Sequence, residues 1–456
     1  MVNILNRNIK IAILTHITTI SVSIVVGLLL PKVLSITDFG YWQYFMFFAS
    51  CLELFLMGSG TGLYLKYGGK YYDELDYKLI KNILLLLIYW EIFLCIIFLF
   101  VLNYINVDIN KKYIFYSLIA SMFIINIGTF FSYILQATNR IKENCVTVLI
   151  LNILLIISFI ILILLNIDKY YIYILIFIIA HIIRGGVLLY YNKKIIFIKS
   201  TKIQYKKYVY IFQSGIYLLI ADYSVILLFG IGRLFIENIW GIIEFSKFSF
   251  AMSLVLLGVS FVNQIGLVLF PELKQNSYIK IIKLYYNFDL KINVVLLLLP
   301  LSYFVVFFIL SRWLSQYIVS LYYLGILMPL AIFESKMSIL INPYYKALRK
   351  EKFLLYINFS ILILGVVLFI TLKLFNSNIL LFLWTFVLLS FSRNLISEIL
   401  LSKVSKVNFN KSIYLQKLII IILFIILLNQ EKIIALITYL IIYLIFFFKY
   451  KSIFIK

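Results

Sequence analysis

Apolar runs of about 16 to 25 residues, separated by short polar tracts rich in Lys, Asn and acidic residues, recur along the chain from Lys10 to Phe448. Each run is long enough to cross a hydrocarbon core of roughly 30 Å as a helix rising about 1.5 Å per residue. The pattern predicts fourteen spans, near residues 10–30, 39–60, 83–102, 113–136, 146–166, 171–191, 209–231, 241–270, 292–311, 318–341, 353–374, 379–402, 413–428 and 433–448. The expected fold class is an all-α membrane protein.

Composition agrees with that reading. Of the 456 residues 64% are hydrophobic and 13% charged, against about a quarter charged in a soluble domain. A net charge of +23 raises nucleic acid as a partner, but the basic residues sit between apolar runs, where a membrane protein places cytoplasmic charge. Nucleic-acid binding is therefore not expected. Segments on the N-terminal side of the membrane hold 28 Lys and Arg and the opposite loops 8, which orients both termini toward the cytoplasm. The first run is too long for a signal-peptide core and lacks a small-residue cleavage site, so it reads as an uncleaved helix. The outer loops are short and leave no room for a catalytic domain, which favours transport over an enzyme.

Candidate chemistry is sparse. Cys51, Cys95 and Cys145 and the two histidines, His16 and His181, have no metal-ligand or disulfide spacing, so no metal or cofactor is expected. Gly58-Ser59-Gly60-Thr61-Gly62 lacks the Gly-Lys-Ser/Thr ending of a nucleotide loop and reads as a helix end where backbones approach closely. Energy must then come from an ion gradient, the membrane potential or consumption of the product.

The first six spans and the next six read as two copies of one unit. Asp38-Phe39-Gly40-Tyr41 is echoed by Asn238-Ile239-Trp240-Gly241-Ile242, an offset of 201 between the glycines. The stretch Gln136 to Glu143 is echoed by Lys346 to Lys352, with Ala137 and Ala347 offset by 210, and Arg184 by Arg393, offset by 209. An even number of spans per copy makes the repeat parallel, with its pseudo-two-fold along the membrane normal. The expected domains are a six-helix lobe over 1–207, a second over 208–412, a central cavity, and an added hairpin over 413–456.

The stretch from Leu28 to Lys70 resembles the N-terminal signature of the polysaccharide-transport branch of the multidrug/oligosaccharidyl-lipid/polysaccharide exporter superfamily, with its apolar helix, acidic-Phe-Gly turn and glycine-terminated helix. Asp222, Gly241 and Phe270 to Leu273 resemble the pattern of the second lobe. The resemblance implies two lobes around a V-shaped cavity and a flippase for a polyprenyl-pyrophosphate-linked oligosaccharide, such as an O-antigen repeat unit. It implies a bacterial inner-membrane location, and as partners the lipid-linked substrate, membrane lipids, a coupling proton or sodium ion, and the polysaccharide polymerase machinery. Twelve spans are usual among O-antigen flippases; fourteen resemble the lipid II flippases and some polysaccharide exporters instead. A drug or organic-cation antiporter of the same superfamily is the alternative, and a membrane polymerase or ligase a lesser one.

Ionisable groups at membrane depth are costly and so are functional candidates by default. The substrate-binding candidates are Lys247, Arg184, Arg393, His16 and Glu53, and the coupling or gating candidates Asp222 and Glu244. The paired arginines fit phosphate bidentately; His16 suits sugar hydroxyls or a proton; Asp222 lies mid-span, where snorkelling is hardest. The resemblance implies that Lys247 lines the cavity, although Glu244, one helical turn earlier, can neutralise it. Glu53, Arg184, Glu398 and Lys417 lie within about two turns of a cytoplasmic end and can snorkel; Glu91 can pair with a neighbouring helix. Glu334 and Lys336 complete the set with His181.

Overall fold

A computed structural model of the chain describes residues 2–199, 205–275, 278–348, 350–405 and 411–451. Among these residues there are helices and no strands. Eleven helices are long and apolar enough to cross a membrane, or twelve if the bent pair Ile36–Leu56 and Ser59–Tyr67 is one span. Even with the bent pair included, the count among the described residues falls two short of fourteen. Lys207–Val262 is continuous enough to count once, and Ser412–Leu427 is shorter than the spanning length. The protein is a multi-pass helical membrane protein, and it divides into two compact units, Met1–Tyr223 and Ser224–Lys456.

In the first unit α1 (Val2–Ile24) runs through a π-turn, Val25–Leu29, into Leu30–Val33. The chain then enters α2 (Ile36–Cys51), whose N-terminus is capped by Ser35 accepting from the Asp38 amide at 3.0 Å. Such a cap satisfies a backbone donor that the first turn leaves open. Asp38 also accepts from the amide of Tyr170 at 3.4 Å, so the acidic-Phe-Gly turn ties the start of α2 to that of a later helix. After Leu52–Leu56 the chain breaks at Met57 and Gly58, both left-handed, and α3 (Ser59–Tyr67) departs at 57°. Helices α4 (Tyr77–Tyr104), α5 (Ile109–Ala137), α6 (Ile141–Leu164) and α7 (Tyr170–Tyr191) follow, then the short α8 (Lys193–Phe197).

The glycine-rich stretch is a packing device, as its sequence suggested. A Cβ on Gly215 would lie 1.8 Å from the Gly58 carbonyl oxygen, and one on Gly62 would lie 2.1 Å from that of Ile211. Thr61 donates to the Gly215 carbonyl at 3.0 Å across the same seam. Outside the spans, Arg140 lies over the Tyr72 ring, donates to the Tyr191 carbonyl and pairs with Glu143 at 3.3 Å. Lys194 donates to Asp73 at 2.7 Å, and that hydrogen bond with the lysine's charge holds the Asp73 carboxyl below its ordinary range.

Next, α9 (Tyr205–Gln275) carries a break at Gly241, where φ is 80° and ψ −179°, a backbone open to glycine. The unit boundary falls within its first arm. Then come α10 (Tyr278–Leu296), α11 (Leu299–Trp313), α12 (Ile318–Lys336, extended by a π-turn and Asn342–Ala347), α13 (Glu351–Leu374), α14 (Ile379–Ser405), α15 (Lys411–Leu427) and α16 (Lys432–Tyr450). The span containing α12 is 89% buried, so its charged residues require partners inside the protein. The hairpin of α15 and α16 packs within this unit, and Tyr439 donates to the Leu297 carbonyl at 2.9 Å.

Local backbone recurs between the units at the spacing read from the sequence. Helices α6 and α13 begin and end 210 residues apart, and both stop at a left-handed asparagine, Asn166 and Asn376. The three capping hydrogen bonds around Asn166 are repeated, donor for donor, around Asn376. The preceding turns match too: Arg140 donates to the Leu135 carbonyl as Lys350 does to that of Tyr345. Arg349, within the second copy of that motif, lies outside the described residues, as do the side chains of Phe270 to Leu273.

Candidate functional site

In the first unit the helix break presents a carboxylate. Glu53 sits one turn before Met57, and its two oxygens accept from Tyr133 of α5 at 2.6 Å and from Tyr223 of α9 at 3.0 Å. It is half-buried and forms no ion pair among the described residues. Asp222, exposed, lies in the electrostatic neighbourhood of Tyr133. Beside the break is a cavity of about 490 Å³ lined by Met57, Leu86, Leu87, Tyr89, Trp90, Phe93 and Phe212, a lining suited to hydrocarbon rather than sugar. The Trp90 indole N–H is spent on the Phe55 carbonyl at 3.1 Å, so the ring offers the cavity only carbon.

His16 is exposed on α1 and hydrogen-bonds to nothing among the described residues. The interhelical polar contact of α1 belongs instead to Thr18 and Thr19, which accept from Asn152 of α6 at 3.1 and 2.9 Å.

In the second unit Lys247 and Glu244 form the pair expected from their spacing, at 2.6 Å, and Tyr323 of α12 donates to the other Glu244 oxygen at 2.9 Å. Lys247 keeps 18% of its side chain exposed and Glu244 25%.

The two arginines, equivalent in sequence, have different surroundings. Arg393 is buried and donates to Glu334 at 2.7 Å and to Asn358 at 2.9 Å, while Ser390 donates to the second Glu334 oxygen at 2.6 Å. Its charge is internally satisfied. Arg184, half-buried on α7 near His181, has no partner among the described residues, and its buried Nε is unpaired. A guanidinium in lipid without a counter-charge remains available to an anion. Arg393→Gln is accordingly expected to lower the folded yield, and Arg184→Gln to leave yield intact while reducing transport, as read by size-exclusion and a flipping assay on the same preparations.

The remaining intramembrane charges do not snorkel. Glu398 and Lys417 are fully buried with Lys336 and Asp289 in a cluster in which Lys336 contacts Asp289 at 2.7 Å and also contacts Glu398. Lys417 lies 4.4 Å from the centre of the Tyr414 ring and 5.5 Å from that of Phe333. Snorkelling is displaced because two acids and two amines neutralise one another where water cannot reach them.

Several members of these sites were not legible as such. Asp289 reads as loop because the expected span starts only at Ile292, after Lys291, yet α10 buries it; the signal was Asn293 four residues on, the same helical face, which donates to it at 3.0 Å. Arg233 was placed in an outer loop, whereas the helix continues to Gly241 and holds its buried Nε unpaired. The absence of any Pro or Gly between Gly232 and Gly241 was the available signal.

The profile of a family described as polysaccharide biosynthesis protein matches residues 5–277. Among solved structures, the chain resembles lipid II flippase MurJ in an inward closed conformation, with 16% identity, a TM-score of 0.68, and coverage of 97% of this chain and 100% of that one. It also resembles an inward-facing multidrug resistance MATE family transporter of the MOP superfamily, with 11% identity, a TM-score of 0.62, and coverage of 86% and 100%. A MOP superfamily transporter from Pyrococcus furiosus follows, with 11% identity, a TM-score of 0.53, and coverage of 86% and 93%. At these identities the likeness is one of fold. No curated protein sequence matches the chain.

Proposed function

Because this chain belongs to the polysaccharide biosynthesis protein family, we propose that it is a flippase that carries a polyprenyl-pyrophosphate-linked oligosaccharide from the cytoplasmic to the outer face of a bacterial cell membrane by alternating access. In this reading the chain comprises two six-helix lobes, 1–207 and 208–412, and a hairpin over 413–456, and both termini are cytoplasmic. The observation that carries the reading is Lys247, a cation on a membrane span, partly exposed and held beside Glu244 and Tyr323. Moving pyrophosphate bare through hydrocarbon costs tens of kcal/mol, roughly, on Born estimates, so the path must supply cations and donors. Arg184 supplies a second cation without an internal counter-charge. The inside-negative potential favours outward movement of anions by about 2.3 kcal/mol per charge per 100 mV.

A second reading has its own support. Glu53 between two tyrosines is the acidic, aromatic setting that an organic cation needs, which suits a drug antiporter. Lys247 separates the two. In proteoliposomes loaded with a fluorescent lipid-linked oligosaccharide, Lys247→Ala is expected to abolish flipping at unchanged folded yield, Lys247→Arg to retain it, and Lys247→Ala with Glu244→Ala to rescue nothing. Restored flipping in the double variant reduces the pair to a structural role. Organic-cation efflux that survives Lys247→Ala but not Glu53→Gln favours the antiporter.

A further inference from the structure

Most buried acids described above are answered inside the protein by a cation, Glu334 by Arg393 and Asp289 and Glu398 by Lys336. Glu91, on α4 in the first unit, is 1% exposed, and neither carboxyl oxygen has a hydrogen-bond partner. Beside it on α5 stands Asn126, 0% exposed, whose amide oxygen and nitrogen are both unpaired as well. The two side chains lie within interaction range of each other in one helix pair, and neither has another partner among the described residues.

The other groups around them supply no cation. On its own helix Glu91 has Cys95 one turn on, whose thiol is directed to the Ile119 carbonyl. Trp90 is spent on Phe55. Besides α5, α4 meets the Leu52–Leu56 turn, where Phe55 packs on Phe98, α9, through Phe212 at the cavity, and α8, whose contact, Lys81 to the Ile196 carbonyl, lies ten residues, about 15 Å, along the helix. Among the described residues no Lys, Arg or His pairs with Glu91.

An ionised carboxylate in that position pays its desolvation with no compensating charge. A neutral acid does not, and it also changes the hydrogen-bond count. A carboxylic acid has one O–H donor and one carbonyl acceptor, and a carboxamide has an acceptor and donors in complementary order. The acid can donate to Asn126 Oδ1 while Asn126 Nδ2 donates to the acid carbonyl, which satisfies both groups. A carboxylate can only accept, and would leave Oδ1 facing a negative charge.

We propose that Glu91 holds an exchangeable proton: it is a neutral acid paired with Asn126 in this conformer and gives that proton up when the α4–α5 contact opens to water. The Oε–H bond breaks, the proton passes to water, and the carboxylate left behind is reprotonated from water on the other face before the contact re-forms. The first unit thereby supplies the coupling step of the transporter, a role that rests on the proposed function. The proton itself does not.

Infrared difference spectroscopy of the reconstituted protein tests the proton without any transport. Wild type is expected to show the carbonyl stretch of an un-ionised carboxylic acid at neutral pH that bleaches on alkalinisation. Glu91→Gln should lack the band at an unchanged unfolding midpoint, and Asn126→Leu should keep it at a shifted frequency. The absence of any Glu91-dependent band, or a band that no alkalinisation bleaches, overturns the proposal. In the transport arm, flipping driven by a pH gradient should lose its gradient dependence in Glu91→Gln; retention of that dependence removes the coupling role. A protein that flips no oligosaccharide refutes the proposed function, and the infrared band still decides Glu91.

Discussion

Lys336→Met is expected to cost about 3–5 kcal/mol of stability and to remove most of the folded protein from detergent extracts. Lys336 is wholly buried and contacts both Asp289 and Glu398. Without it two carboxylates from α10 and α14 share a dry site with a single ammonium, that of Lys417, which lies over aromatic rings rather than in direct contact with either acid. The cost lies in the stranded charge, not in the lost contact, and that distinction gives the control. Lys336→Met combined with Glu398→Gln leaves one acid and one amine and is expected to recover a large part of the loss. The measurement is the unfolding midpoint followed by fluorescence-detected size exclusion. A single variant as stable as wild type would show that the cluster is wet or already neutral, and would sink the argument.

Gly215→Ala is expected to dislocate α3 from the first arm of α9, at a cost of about 1–3 kcal/mol or more. The new methyl would meet the Gly58 carbonyl oxygen at 1.8 Å and the Gly62 amide nitrogen at 2.5 Å. Those are backbone atoms and cannot rotate aside, so the helices themselves must separate, taking the Thr61 to Gly215 hydrogen bond and the Glu53 to Tyr223 contact with them. Gly58→Ala adds backbone strain to the clash, because Gly58 has φ at +78°. Gly186→Ala is the matched control: a Cβ there meets nothing within 4 Å, and the substitution should be close to neutral or mildly stabilising. If Gly215→Ala and Gly186→Ala unfold at the same temperature, the seam is not the close contact described.

By itself the sequence determined everything that depends on the solvent and on neighbours along the chain. The helical class, most spans though not their count of fourteen, the close-packed glycines at Gly58 and Gly62, the Asp38 turn and the Lys247–Glu244 pair follow from apolar run length or from spacings within one or two turns, because lipid forces every backbone group to be satisfied within its own segment. The 210-residue repeat was legible for the same reason, in that caps and turns are local. Only the tertiary structure decided what each intramembrane charge faces. Arg184 and Arg393 occupy equivalent places in two repeats, yet Glu334 and Asn358, from other helices, satisfy one and nothing among the described residues satisfies the other. Glu398 and Lys417 lie where a side chain can snorkel, and instead meet Asp289 and Lys336 across 128 residues of chain (289 to 417). Glu91 was expected to pair with a neighbouring helix, and the group beside it there is the Asn126 amide of α5, with no cation among the described residues. Charge satisfaction in a membrane is a property of helix packing, which brings together residues far apart in sequence, and no spacing along a single helix encodes it.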